Sequence, residues 1–288
     1  DIPMMYGVLG LALFSAAYSL YGGLSAVAWT DVIQVIFLIL GGLVTTYLAL
    51  NAISDGQGMI TGLKQIYRAA PDRFVMILDK SNPEYKNLPG IGVLVGGMWV
   101  ANLYYWGFNQ YIIQRTLAAK SLKESQKGIL MAAVLKLIIP LIVVIPGIAA
   151  YVMVNDPAIL ASLGDVGMQN IPTLAQADKA YPWLLQFLPS GLKGLAFAAL
   201  TAAIVSSLAS MTNSISTIFT MDIYRKFSKK SSDQLLLVSV GRYAVVISLL
   251  IAVSIAKPLL GSFDSIFQFI QNFTGLFTPG IVVIFLVA

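Results

Sequence analysis

Seven hydrophobic stretches dominate the chain, at roughly 4–28, 31–53, 91–114, 128–154, 194–221, 236–256 and 264–288. Each is close to or above the roughly 20 residues that a helix needs to cross the hydrocarbon core of a bilayer. The runs are long and continuous, unlike the ~10-residue alternations of a membrane β-barrel, so the expected class is an all-α, multi-span helical bundle. Composition agrees, with 58% hydrophobic and 11% charged residues, against about 25% charged in a soluble domain.

The connections set an orientation. The stretches 115–127 and 224–234 each carry four basic residues, which places both on the cytoplasmic side under the positive-inside rule. Alternation then puts the long connections 54–90 and 155–190 outside, the N-terminus outside and the C-terminus inside. The first two stretches are parted only by a tight break around "WTD" (29–31). Residues 1–288 read as one transmembrane domain. The chain opens at Asp1 and ends within the apolar run "GIVVIFLVA", so an internal piece of a larger protein is expected. "GIGVLVGG" (90–97) is not a nucleotide loop, because it opens a membrane span and follows no strand. "NFT" (272–274) lies within a span and is set aside as a glycosylation acceptor.

Two absences narrow the chemistry. The sequence has no cysteine and no histidine, which removes thiolate sites, disulfides and the usual haem and zinc ligands. No carboxylate pair lies inside a span either, so a membrane enzyme is disfavoured. The net charge of +5 reflects basic loops, and no nucleic-acid partner is expected.

The stretch "AIVSSLASMTNSIST" (203–217) carries seven hydroxyls and no charge. Helical spacing sets Ala203, Ser206/Ser207, Ser210, Ser214 and Thr217 along one face. One reading is close helix packing through small residues. The other is a site for a hard monovalent cation such as sodium, held by the Ser206 and Ser207 hydroxyls and the Ala203 carbonyl. A proton-coupled site would instead want an intramembrane carboxylate or histidine.

Three further features bear on a solute. "WVANLYYWGFNQYIIQ" (99–114) sets Asn102, Asn109, Gln110 and Gln114 among Trp99, Tyr104, Tyr105, Trp106 and Tyr111. Neutral amides and flat aromatics suit a hydroxyl-rich solute such as a sugar; an interfacial aromatic belt is the competing reading for Tyr111 and Gln114. Lys136 follows Lys127 by about 13 Å of helix, near the bilayer midplane. It marks a functional site or snorkels to the interface, and Pro140 and Pro146 free carbonyls that could partner its ammonium. In "FDSIFQFIQNFTGLFTPG" (263–280), Gln268, Gln271 and Asn272 should face the protein interior, ahead of a hinge at 278–280. Asp31 either favours the helix N-terminus that it opens or guides a cation out.

"YGGLSAVAWTDVIQ" (21–34), "NLYYWGFNQYIIQRTLAAK" (102–120) and "ALTAAIVSSLASMTNSISTI" (199–218) together resemble the sodium/solute symporter family, over essentially the whole chain. The resemblance implies a five-plus-five inverted repeat similar to the leucine-transporter fold. This chain would hold the last two helices of the first repeat and all five of the second, with 91–114 as the broken sixth core helix and 194–221 as the eighth. It implies a multi-pass protein of the cell inner membrane that is not an enzyme, with sodium as coupling ion and galactose or glucose as solute. By the same resemblance, Ala203, Ser206 and Ser207 hold sodium, while Asn102, Lys136 and Gln271 bind sugar. Tyr105 stacks on the sugar as a gate, and Asp31 lies on the sodium exit path. Gln268 shares the helix of Gln271, and only register separates them. A carrier of proline, iodide or a carboxylate, or a non-transporting sensor on the same fold, are the rivals.

Overall fold

The structure is a computed structural model that describes residues 3–82, 85, 90–228, 233–259 and 266–288, with the side chains at 23–27, 174–175, 257, 259 and 266–268 left aside. Among the described residues every regular element is helical, as segments that must pair their own backbone groups in lipid require. In chain order they are α1 (Met4–Ile53), α2 (Met59–Ala69), α3 (Met98–Leu103), α4 (Gln110–Leu117), α5 (Leu122–Lys136), α6 (Ile145–Asn155), α7 (Pro157–Ser162), α8 (Gly164–Gly167), α9 (Ala180–Leu184), α10 (Ser190–Thr217), α11 (Arg225–Phe227), α12 (Gln234–Leu259) and α13 (Ile266–Val287). Among the described residues six helical segments are long and apolar enough to cross a membrane: Met4–Gly22, Ala28–Ile53, Leu122–Asn155, Ser190–Phe227, Gln234–Ala256 and Phe269–Val287. The stretch 91–114 is not among them because its helix breaks. π-Helical turns at Val93–Gly97 and Tyr104–Phe108 flank α3, and Asn109 adopts extended backbone (φ −87°, ψ 111°) before α4 begins.

The chain divides into two compact units. The first comprises Asp1–Leu38, Gln110–Ser125 and Ala198–Phe263. Here hydroxyls tie helix to helix. Ser19 on α1 donates to Asn213 Oδ1 on α10 at 2.6 Å, and Ser216 on α10 donates to the Gly241 carbonyl of α12 at 2.9 Å. A Cβ at Gly241 would lie 2.9 Å from the Ser216 hydroxyl, so a larger residue there would displace that hydroxyl.

Backbone helix runs unbroken through "WTD", where a break was expected. The helix is nevertheless bent. Ser19 meets Asn213 and Asp31 meets Ser206, so twelve residues of α1 are matched to seven of α10. Straight helices with the same rise per residue would advance equally. The Tyr18 hydroxyl also bonds that of Thr30, although a straight helix would separate their Cα atoms by ~18 Å. The bend therefore lies between Ser19 and Asp31.

The second unit comprises Ile39–Asn109, Gln126–Phe197 and Asp264–Ala288. Its core gathers the C-terminal part of α1 with α2, α6 and α9, around the almost fully buried Leu50, Ile66, Met153 and Trp183. Asp156 caps α7 by accepting from the Ala158 and Ile159 N–H groups at 2.9 and 3.3 Å, with Pro157 at the first helical position, the arrangement that satisfies the free donors of a helix start.

The turn Pro140–Val144 is π-helical, and the Ile145 N–H reaches back to the Pro140 carbonyl. The same register would direct the Leu141 carbonyl to residue 146, a proline with no N–H to give. Thr46 supplies the missing donor, its hydroxyl lying 2.7 Å from that carbonyl.

Gly62 of α2 sits against the backbone of α1: an added Cβ would come 2.1 Å from the Leu50 carbonyl oxygen. Gly62→Ala is therefore expected to destabilise the protein by about 1–3 kcal/mol through overpacking. A lowered thermal midpoint of the purified protein in detergent checks this.

Candidate functional site

In the first unit α10 presents its hydroxyl face to Asp31 and Arg115. Ser206 is buried and donates to Asp31 Oδ1. Asp31 Oδ2 accepts from Arg115 Nη2 at 2.7 Å, and the same Nη2 donates to the buried Ser210 Oγ at 2.6 Å. Gln114 Nε2 donates to the Ser210 carbonyl at 3.2 Å. A carboxylate and a guanidinium, 26% and 30% exposed, are thereby pinned to successive turns of one helix. Such charge-assisted bonds are the strong ones, and removing one partner leaves the other's charge stranded.

The hydroxyls of this helix turn to different partners. Thr212, Ser214 and Thr217 donate to the carbonyls of Leu208, Ser210 and Asn213, one turn back, and Ser216 reaches across to α12. These four serve packing. Ser206 and Ser210 face the charged pair, and Ala203 and Ser207 are half-buried on the same helix. Asp31 is not a helix start: it lies within α1, where no free first-turn N–H groups await a carboxylate. Gln114 is buried and bonded inside the unit, which removes it from an interfacial belt.

The second unit assembles the amide and aromatic features. Lys136 is the last residue of α5, where a cation is favoured by the helix dipole. Its Nζ lies 4.5 Å from the Trp106 ring centroid and 5.8 Å from that of Tyr105, and the two rings meet edge to face at 5.2 Å. Aromatic faces hold the ammonium in the place expected of freed carbonyls. Asn102 is exposed, with its Nδ2 bonded to the Met98 carbonyl of its own helix at 2.8 Å. The helix α13 packs along α3 and the π turn after it, with Phe285 stacked on Phe108 at 4.8 Å.

Gln271 and Asn272 are exposed, contrary to the interior position expected of them. It is Thr278 and Val282 of α13 that are buried. The side chain of Gln268 lies outside the described residues.

In the sequence Arg115 counts only toward loop charge, and Ser210 is one hydroxyl among seven in its stretch. The available signal was an arginine directly after a span that ends in Tyr111 and Gln114. Its partner lies 84 residues away, on another helix. Trp106 was grouped with its aromatic neighbours, yet its ring is closer to Lys136 than that of Tyr105.

Comparison with known proteins follows from this geometry. The chain is 63% identical to the sodium/glucose cotransporter of Vibrio parahaemolyticus over 285 residues, covering 99% of this chain and 52% of that protein. It is 33% identical to the sodium/myo-inositol cotransporter 2 of Bos taurus over 302 residues, covering 99% and 44%. The chain therefore spans about half the length of the curated relatives it matches. A solved structure of a sodium-coupled sialic acid symporter, substrate-bound and outward-open, shares the fold with a TM-score of 0.71 at 24% identity, covering 91% of this chain and 52% of that one. The all-helical, multi-span architecture is thus that of the helical symporter fold expected from the sequence. The model of the sodium:solute symporter family matches residues 1–288, and the chain belongs to that family.

Proposed function

We propose that the full-length protein couples sodium entry to the uptake of a neutral sugar, galactose or glucose, across the cell inner membrane by alternating access. The observation that carries this reading is the 63% identity with a sodium/glucose cotransporter over 99% of the chain. The connections 115–127 and 224–234 face the cytoplasm, and the spans alternate from there.

Sodium binds on α10, to the hydroxyls of Ser206 and Ser207 and the carbonyl of Ala203. Neutral oxygens hold a monovalent ion loosely enough for release in each cycle. Asp31, bonded to Ser206 and paired with Arg115, stands next on the exit route. Arg115 there is a tethered counter-charge: it neutralises the carboxylate whenever sodium is absent and so favours the ion's departure. Sugar binds to Asn102, Lys136 and Gln271, with Tyr105 stacked over it as a gate. The cluster of Lys136, Trp106 and Tyr105 offers ring faces for the apolar side of a pyranose and a cation for its hydroxyls. A relative named for glucose and another named for myo-inositol, both neutral polyols, favour this class over an anion. The two ligands act on one conformational equilibrium, and their coupling is reciprocal.

Radiolabelled galactose uptake by the full-length protein in liposomes, with and without a sodium gradient, tests the reading; uptake indifferent to sodium overturns it. In that assay Ser207→Ala is expected to raise the half-activating sodium concentration severalfold. Arg115→Gln acts oppositely, because an uncompensated Asp31 retains the ion: the half-activating concentration falls by about fivefold or more, and sodium on the product side inhibits more strongly. Unchanged sodium activation in Arg115→Gln removes the counter-charge role. Lys136→Ala is expected to weaken sugar affinity about tenfold or more, the scale of a charged hydrogen bond. A change confined to expression level assigns that lysine to the membrane interface instead.

A further inference from the structure

We propose that the first unit carries a binding site for the phosphate of an anionic lipid, centred on Arg242 and independent of sodium and sugar. Arg242 is the ninth residue of α12, ~12 Å along the helix from Gln234. It stands on the side of the basic connection that includes Arg225 and Lys226. Among the described residues no carboxylate pairs with it, and the ion pair present is that of Arg115 with Asp31. An arginine at this depth calls for an anionic or strongly polar partner.

The surroundings supply the rest of a phosphate cradle. Arg242 lines a cavity of about 540 Å³ together with Ser19, Asn213, Ser216, Thr217 and Thr220. Two polar atoms of this lining are buried without a hydrogen-bond partner: Asn213 Nδ2 and Thr220 Oγ1. Each has a local cause. Asn213 spends its Oδ1 on the Ser19 hydroxyl, which orients the amide and leaves its N–H₂ unmatched. Thr212, Ser214 and Thr217 turn their hydroxyls back to carbonyls four residues earlier. Thr220 sits in the π-helical turn Ile218–Tyr224, and its hydroxyl makes no such bond. The residues that line this cavity carry an amide, hydroxyls and a guanidinium, the groups that match the oxygens of a phosphate.

A second groove selects a lipid over free phosphate. It measures about 370 Å³ and shares Arg242, Leu20 and Tyr21 with the first, adding Tyr243 and Val246. Tyrosines beside aliphatic side chains suit the glycerol and upper acyl region of a lipid. Basic pockets between membrane helices on the cytoplasmic side take anionic headgroups for the same reasons.

The test uses the full-length protein in detergent, titrated with phosphatidylglycerol, with phosphatidylcholine, and with inorganic phosphate alone, and read by native mass spectrometry and thermal shift. The expected result is retention and thermal stabilisation by phosphatidylglycerol over phosphatidylcholine. Retention should fall about tenfold in Arg242→Gln, the scale of a charged hydrogen bond, and less in Thr220→Val. Arg242→Lys, which keeps the charge and loses the planar fork, should fall between wild type and Arg242→Gln. Stabilisation by inorganic phosphate that matches the lipid's overturns the lipid assignment. Equal retention of both lipids by the wild type, or undiminished retention in Arg242→Gln, overturns the site. Should Arg242→Gln fail to fold, Thr220→Val carries the test, and unchanged phosphatidylglycerol retention in it overturns the cradle.

Discussion

Apolar surroundings make every polar group answerable, and the pairing of Asp31 with Arg115 over α10 is where this obligation is met with full charges. A carboxylate in the middle of a membrane helix is costly unless an opposite charge and hydrogen-bond donors meet it. Here Ser206 donates to one oxygen and Arg115 to the other, while Ser210 accepts from the same guanidinium. The arrangement draws α1, α4 and α10 together at one level.

The same obligation explains smaller features. Proline and π-helical turns each release backbone groups, and the structure meets them with hydroxyls from neighbouring helices, as Thr46 meets Leu141. Broken helices survive in a membrane where such donors and acceptors are at hand. The extended residue Asn109 and the turn ahead of it break the segment that carries Asn102, Tyr105 and Trp106. A polar solute site can form there because the backbone is irregular and the neighbouring side chains are amides and aromatics. The hydroxyls of Thr212, Ser214, Ser216 and Thr217 donate to backbone carbonyls, whereas those of Ser206 and Ser210 meet the charged pair.

The residues behind each expectation differ in how far they could be read. Long uncharged runs admit one solution in lipid, so the helical class was legible from composition and patterning, whereas the break in 91–114 was implied only by the family resemblance. Ser206 and Ser207 stood out because adjacent hydroxyls in an otherwise apolar helix are few. Lys136 stood out because an ammonium at that depth is costly. Asp31 was legible as an oddity and not as a partner.

Spacing along a chain is local information, whereas charge pairing, orphaned donors and cavities arise from segments far apart in sequence. Residue pattern alone settled that this chain is a membrane-embedded helical bundle and which stretches of it are polar enough to bind something. Only the folded arrangement decided that Arg115 reaches Asp31 across 84 residues, that Trp106 and not a backbone carbonyl faces Lys136, and that Gln271 stands exposed. The physical reason is that helix periodicity determines which face a residue lies on, while the neighbour across that face is chosen by packing of helices whose mutual register no local pattern encodes.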